Sequence, residues 1–211
     1  MNQLDLFSNI TIKKPGNTSN SDFLIIQNGE YLFIPEYFNK FDSDNLLKSL
    51  RDKINWKQES MNIYGRKIDF PRLTSWYGND DKPYTFSGIT LNPNPWIKEI
   101  LEIKDRIEPI SNITFNSVLL NLYRSGKDSI SWHTDAEPEL GENPVITSVN
   151  FGATRKFQFR HINTKEKIEL ELTHGSLLIM RGELQHFWQH QVPKTRGSIG
   201  ERINLTFRVI K

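Results

Sequence analysis

His133-Thr134-Asp135 sets an imidazole and a carboxylate at alternate positions, and His190 lies well downstream. On a strand, a period of two turns His133 and Asp135 to the same face, where both can meet one ion. Two histidines and one carboxylate form the ligand set of non-haem iron(II), with positions left open for substrate and oxygen. The third ligand has to arrive from a distant strand. The chain has five histidines. His190 alternates with Trp188 in Trp188-Gln189-His190 and is preferred, while His186 shares its parity and stays a rival. His174 sits in a His-Gly-Ser turn, where turn capping is expected. His161 ends a strand beside a basic turn, where exposure is expected.

A second constellation follows. Arg202, Asn204, Thr206 and Arg208 alternate with Ile203, Leu205, Phe207 and Val209, so one face of a strand is polar and the other apolar. A polar row turned into a β-fold is costly unless it binds something. An acidic co-substrate suits it, because a guanidinium can hold a carboxylate bidentately while Asn and Thr add hydrogen bonds. Asn121 and Tyr123, flanked by Leu120 and Leu122, repeat the pattern and can reach the same carboxylate from a neighbouring strand. A metal with open positions beside an acidic co-substrate points to an oxygenase.

Such groups need a rigid scaffold. From about Phe115 the alternation predicts strands over 116–124, 145–151, 156–161, 167–172, 176–181, 187–192 and 202–209, separated by turns such as Ser125-Gly126, Asn163-Thr164 and His174-Gly175-Ser176. Earlier, Ser43 reads as a helix N-cap followed by Leu46, Leu47, Leu50 and Ile54 at helical spacing. A second helix is expected after Pro95, burying Trp96, Ile100, Leu101 and Ile107. Many short strands, with helices confined to the N-terminal part, predict a mainly β fold with flanking helices, a double-sheet jelly roll.

The chain has 211 residues, a formal net charge of +2 and no cysteine. That length favours one domain with a substantial core. The charge balance confines any nucleic-acid surface to a local patch. Without thiols, disulfides, thiolate zinc sites and iron–sulfur sites are excluded. No apolar run is long enough to span a bilayer, and the N-terminus lacks the order of a secretory signal. A soluble, intracellular monomer is expected. Residues 11–22, rich in Lys, Asn, Ser, Thr, Pro and Gly, read as a linker. The expected division is a flexible tail over 1–22 and a single domain over 23–211, with the globular part established by Tyr31.

Taken together, these residues resemble the AlkB-type family of iron(II)- and 2-oxoglutarate-dependent dioxygenases, which repair alkylated nucleic acids. The resemblance runs through Asn121-Leu122-Tyr123, Trp132-His133-Thr134-Asp135, the segment from Ser148 to Arg155, the segment from His174 to Leu178, Trp188-Gln189-His190 and the segment from Arg202 to Arg208. It implies a double-stranded β-helix core over about 115–210 and His190 rather than His186 as the third ligand. It also implies Arg202 on a 2-oxoglutarate carboxylate, assisted by Asn121, Tyr123, Asn204 and Thr206, with Arg208 nearer the metal end. The implied co-reactants are iron(II), 2-oxoglutarate and oxygen, with ascorbate as an aid to keeping the iron reduced.

Pro71-Arg72 and Tyr84-Thr85-Phe86-Ser87-Gly88 are similar to the family's nucleotide-recognition lid, placed here at about 57–90. The resemblance implies a flipped base held between Phe86 and His133, with Tyr84, Ser87 and Glu137 near its polar edge. Ile63-Tyr64-Gly65 resembles the hairpin that fills the gap in a duplex. Tyr64, Arg72 and Arg160 are the candidate DNA contacts, and Lys165, Lys167, Arg124, Lys127, Lys194 and Arg196 are further phosphate candidates. The pattern departs at Ala136, where many members carry an acid, and in the short turn between Arg160 and Lys167. The substrates implied are bases alkylated on a ring nitrogen, such as 1-methyladenine and 3-methylcytosine, with DNA favoured over RNA. An oxygenase acting on RNA bases and a non-catalytic nucleic-acid-binding jelly roll are the competing classes. Finally, Gln3-Leu4-Asp5-Leu6-Phe7 looks like the peptide with which bacterial repair proteins dock on the sliding clamp, Leu6 and Phe7 filling a cleft and Gln3 hydrogen-bonding beside it. In a bacterium that places the chain in the cytoplasm, at the nucleoid.

Overall fold

A computed structural model describes residues 12–13, 22–63, 66–79, 84–86 and 89–211. The elements run β1 (Ile12–Lys13), β2 (Leu24–Ile26), β3 (Gly29–Ile34), α1 (Lys40–Lys53), β4 (Ser60–Ile63), β5 (Arg66–Asp69), β6 (Leu73–Gly78), β7 (Tyr84–Phe86), β8 (Ile89–Leu91), α2 (Lys98–Ser111), β9 (Ser117–Tyr123), β10 (Ile130–His133), a 3-10 turn (Pro138–Leu140), β11 (Ile146–Gly152), β12 (Arg155–His161), β13 (Lys167–Leu172), β14 (Ser176–Arg181), α3 (Leu184–Phe187), β15 (Trp188–Val192) and β16 (Arg202–Arg208). The larger sheet has the order β2-β3-β14-β11-β16-β9-β6 and the smaller β1-β13-β12-β15-β10, while β4–β5 and β7–β8 are separate hairpins.

The larger sheet is buried on both faces, and the period of two explains how. Val149, Phe151, Ile203, Leu205 and Phe207 join Leu46 and Leu50 of α1 and Ile100, Ile103 and Ile107 of α2 in one apolar cluster. The opposite parity supplies Tyr123, Ile146, Leu178 and Met180, which pack against Phe157, Phe159, Leu170, Trp188 and Val192 of the smaller sheet. Helices cover one face and the second sheet covers the other, which is the expected double-stranded β-helix. Among the described residues, no helix is long and apolar enough to cross a membrane.

All seven expected strand windows contain strands. Other strands lie outside those windows. Leu73–Gly78 is buried at nearly every position, so it shows no period of two, and it pairs with β9 inside the span expected as lid. β2 and β3 extend the other end of the same sheet, and β10 is a short edge strand with a register shift. Helices also differ. The N-cap of α1 is Asn39, whose side chain accepts from Asp42 N–H. Ser43 lies inside the helix and donates to the Phe38 carbonyl at 3.3 Å. Leu101 is 39 % exposed instead of buried. Within the span read as a linker, Ile12–Lys13 pairs in parallel with Lys167–Ile168 at the edge of the smaller sheet.

One glycine is required at the turn from β13 to β14. Gly175 has φ of +80°, and an added Cβ would meet the Phe38 carbonyl and Ser43 Oγ. Its N–H donates to Asn150 O at 2.7 Å and its carbonyl accepts from Phe38 N–H at 3.0 Å, so the chain before α1 is tied to a strand of the site.

Candidate active site

β10 and β15 pair antiparallel with His133 directly opposite His190. Their ring centroids are 4.2 Å apart. Asp135 follows β10 on irregular chain and turns into the same space, its Oδ1 3.8 Å from His133 Nε2 and its Oδ2 4.0 Å from His190 Nε2. The candidate ligand atoms of the three residues all lie within 4.8 Å of one another. His133 Nδ1 sits 2.8 Å from the Ser131 carbonyl. A carbonyl only accepts, so Nδ1 carries a proton, and Nε2 is the ring nitrogen turned toward Asp135 for ligation.

Electrostatics prepare this cluster for a cation. Asp135 is buried, which opposes its ionisation, yet the guanidinium of Arg208 beside it holds its carboxyl well below the usual carboxylate range. Arg208 Nη2 donates to Asp135 Oδ2 at 2.8 Å. Burial, and then His133, push the His190 pKa down to about 3, so its imidazole is neutral and able to ligate. Asp135 Oδ1 is buried with no hydrogen-bond partner among the described residues. Two imidazoles and an ionised carboxylate with an uncommitted oxygen fit iron(II).

The polar row lies beside it. The pairing of β16 with β9 sets Arg202 opposite Tyr123 and Asn204 opposite Asn121. Pairing with β11 sets Asn204 opposite Asn150 and Thr206 opposite Ser148. All four residues of the row, Arg202, Asn204, Thr206 and Arg208, are at most 9 % exposed, so they face the interior as the alternation predicted. Asn204 Nδ2 donates to Ser148 Oγ at 2.8 Å, Thr206 Oγ1 to Asn204 Oδ1 at 3.1 Å and Asn121 Nδ2 to Asn204 Oδ1 at 3.4 Å. Arg202 Nη2 donates to Asn150 Oδ1, and its guanidinium lies 5.0 Å from the centroid of the Tyr123 ring. Burial pushes the Arg202 pKa down to about 10, while Tyr123 favours the charged form. Its Nε and Nη1 are buried with no hydrogen-bond partner among the described residues. A buried charged fork with uncommitted donors is costly unless an anion meets it, and a 2-oxoglutarate carboxylate fits. One cavity is lined by this row, by Asn121 and Tyr123, and by His133, Asp135 and His190.

A second cleft opens outward from the same histidine. Met61, Ile68, Phe70, Pro71, Trp132, His133 and Glu137 line it, so His133 is a wall of both spaces. Arg72, expected as a DNA contact, also borders this cleft. It is only 4 % exposed and its Nε donates to Asn121 Oδ1 at 2.8 Å. Arg160 donates to Gln189 Oε1 at 2.7 Å and lies 4.3 Å from the Trp132 ring centroid. Tyr84 and Phe86 lie on β7, paired with β8. Ile63 pairs with Arg66 across the β4–β5 hairpin, while Tyr64 at its turn lies outside the described residues, as do Ser87 and Gln3, Leu6 and Phe7.

The rival histidines are accounted for. His186 falls in α3 and is exposed, since a helical turn breaks the parity that linked it to His190. His161 is buried, not exposed as expected, and its Nδ1 accepts from Thr164 N–H at 3.1 Å. His174 Nδ1 accepts from Gly152 N–H at 2.8 Å, so it ties its turn to the end of β11 instead of capping the turn itself. Sequence reasoning assigned no role to Ser148, Asn150 or Gln185. Ser148 and Asn150 alternate with Val149 and Phe151, a signal of the same kind as that of β16. Gln185 carries no local signal.

Comparisons with known proteins agree with this geometry. The family model of the 2OG-Fe(II) oxygenase superfamily matches residues 30–208. The chain is 43 % identical over 186 residues to the alpha-ketoglutarate-dependent dioxygenase alkB homolog 3 of Homo sapiens, covering 83 % of this chain and 64 % of that one. It is 36 % identical over 184 residues to the DNA oxidative demethylase ALKBH2 of Homo sapiens, covering 82 % and 70 %. The chain thus spans a little under two thirds of the alkB homolog 3 length. The solved structure of OsALKBH1 superposes with a TM-score of 0.57 at 17 % identity, covering 88 % of this chain and 100 % of that one, which shows the shared fold. With the superfamily model spanning most of the chain and both relatives named for AlkB-type enzymes, the chain belongs to the AlkB-type family of 2OG-Fe(II) oxygenases.

Proposed function

We propose that this protein oxidatively dealkylates bases alkylated on a ring nitrogen, 1-methyladenine and 3-methylcytosine among them, in DNA. The observation that carries this reading is His133, which lines both the metal and co-substrate cavity and the outer cleft. A base in that cleft abuts the metal ligand itself. With iron(II) held by His133, Asp135 and His190, the site would have the chemistry to spend one molecule of oxygen on two coupled oxidations, of 2-oxoglutarate to succinate and carbon dioxide and of an N-alkyl carbon to a hemiaminal, which then releases an aldehyde. The chain's own groups do the rest. Arg202 and its polar neighbours orient the co-substrate, Arg208 keeps Asp135 ionised, and the apolar barrel excludes water. Phe86 and His133 sandwich the base, with Tyr84, Ser87 and Glu137 at its polar edge. Tyr64 and Arg160 meet the nucleic acid outside the pocket. The relatives' names, one a DNA oxidative demethylase, support DNA over RNA.

The test is direct. The protein, with iron(II) and 2-oxoglutarate, is incubated with single- and double-stranded oligonucleotides carrying 1-methyladenine, in DNA and in RNA. The expected result is loss of one methyl group from the DNA with succinate formed in equal amount. Unchanged mass beside an active control would overturn the reading, and turnover of RNA alone would reassign the substrate.

We further propose that the chain acts as a monomer whose residues 3–7 dock on a bacterial sliding clamp, Leu6 and Phe7 entering an apolar cleft. Tethering would raise the enzyme's effective concentration at DNA and keep it at the nucleoid. Clamp pull-down is expected with the native chain and to be lost with Leu6→Ala/Phe7→Ala; equal capture of both rules the peptide out.

A further inference from the structure

Asp135 carries the carboxylate of the metal cluster on chain without regular structure, beyond the end of β10. Its side chain is tied by Arg208, but its backbone has no strand partner to hold it. What holds it is Gln185. This residue is 1 % exposed, and its Oε1 accepts from Asp135 N–H at 3.0 Å. The other end of the carboxamide lies against Met180, with Nε2 3.9 Å from Sδ, and Met180 itself lines the metal and co-substrate cavity. Gln185 sits on α3, the four-residue helix that leads straight into the strand bearing His190.

The connection closes a circuit. Backbone pairing joins His133 to His190 across β10 and β15, and the Gln185 carboxamide joins the approach to His190 back to Asp135. A backbone N–H buried without an acceptor is costly, so the loop settles where Gln185 meets it, and that position sets the Asp135 carboxylate against the two imidazoles. Partners of this kind behind a ligand govern metal affinity as well as the ligand's orientation.

We propose that Gln185 is a positioning residue for the metal centre, acting through the backbone of Asp135. The inference rests on the metal assignment above, and cobalt(II) tests it without turnover. Cobalt(II) is titrated into metal-free native protein, Gln185→Leu and Gln185→Glu, followed by its visible d–d absorption, with metal-free melting measured alongside. Leu matches the volume without an acceptor, while Glu retains an oxygen at the same reach. Gln185→Leu is expected to bind cobalt(II) roughly 10–100-fold more weakly with an altered absorption envelope, and Gln185→Glu to recover most of the affinity. Should Gln185→Leu not fold, Gln185→Met takes its place. Native affinity and spectrum in the Leu variant, or equal losses in Leu and Glu, would overturn the proposal. Failure of the native chain to bind cobalt(II) at all would instead overturn the metal assignment beneath it.

Discussion

Asp135→Ala is expected to abolish metal-dependent turnover and to destabilise the metal-free protein as well. The side chains of Asp135 and Arg208 are only 2 % and 3 % exposed and meet at 2.8 Å. Removing the carboxylate therefore takes a ligand from the cluster and breaks the buried pair that Arg208 makes with it. Breaking a buried pair in this way costs roughly 3–5 kcal/mol, a large share of the stability of a single domain. Asp135→Asn keeps an oxygen near the metal position but not the charge, so it should bind metal weakly and recover only part of the stability. Urea denaturation of the metal-free proteins and metal titration separate the two losses. An alanine variant that binds metal like the native chain would remove Asp135 from the ligand set.

The second large effect is expected at Arg202. Arg202→Met removes the charged fork facing Tyr123 and takes from Asn150 Oδ1 one of its two donors, leaving Asn204 Nδ2 at 3.2 Å. Truncating one partner of a buried, hydrogen-bonded charge pair costs about 2–5 kcal/mol, and each 1.4 kcal/mol is tenfold. The apparent KM for 2-oxoglutarate should rise from roughly thirty-fold to several thousand-fold, with cobalt(II) affinity close to native because no ligand is touched. Arg202→Lys should recover only part, since an ammonium is a point charge without the planar fork. A KM within twofold of native in the Met variant would show that the co-substrate does not meet this residue.

Those two residues also show what can be read from the chain by eye. Arg202 was found because β16 alternates cleanly and a strand turns alternate residues to one face. The same rule found Asn121 with Tyr123, whereas His133 and Asp135 meet although Asp135 lies past the end of β10 and not on a strand. The rule failed where both faces are buried. Leu73–Gly78 carries no alternation because it is buried along nearly its whole length, although it is the edge strand beside β9, and the resemblance had placed it within the lid. It failed again at His186, where four residues of helix interrupt the count. His161 was misjudged as exposed because its burial depends on a distant segment, where Phe187 stacks on it and Trp188 meets it edge-on. Gln185 and Arg72 were beyond reach for a related reason: each acts through a hydrogen bond to a residue about fifty positions away, which no local pattern encodes.

The register of β10 against β15 has a further consequence. His133 and His190 face each other only in the alignment observed. Slipping β15 by one position would turn His190 to the other side of the sheet and present Gln189 or Gln191 in its place. Ion capture is therefore an assay of assembly, because a chain that can take up the metal has already zipped these two strands correctly. Since binding draws the population toward the form that binds, iron present while the chain matures acts as a proofreader, retaining the correct alignment and giving no support to the slipped one.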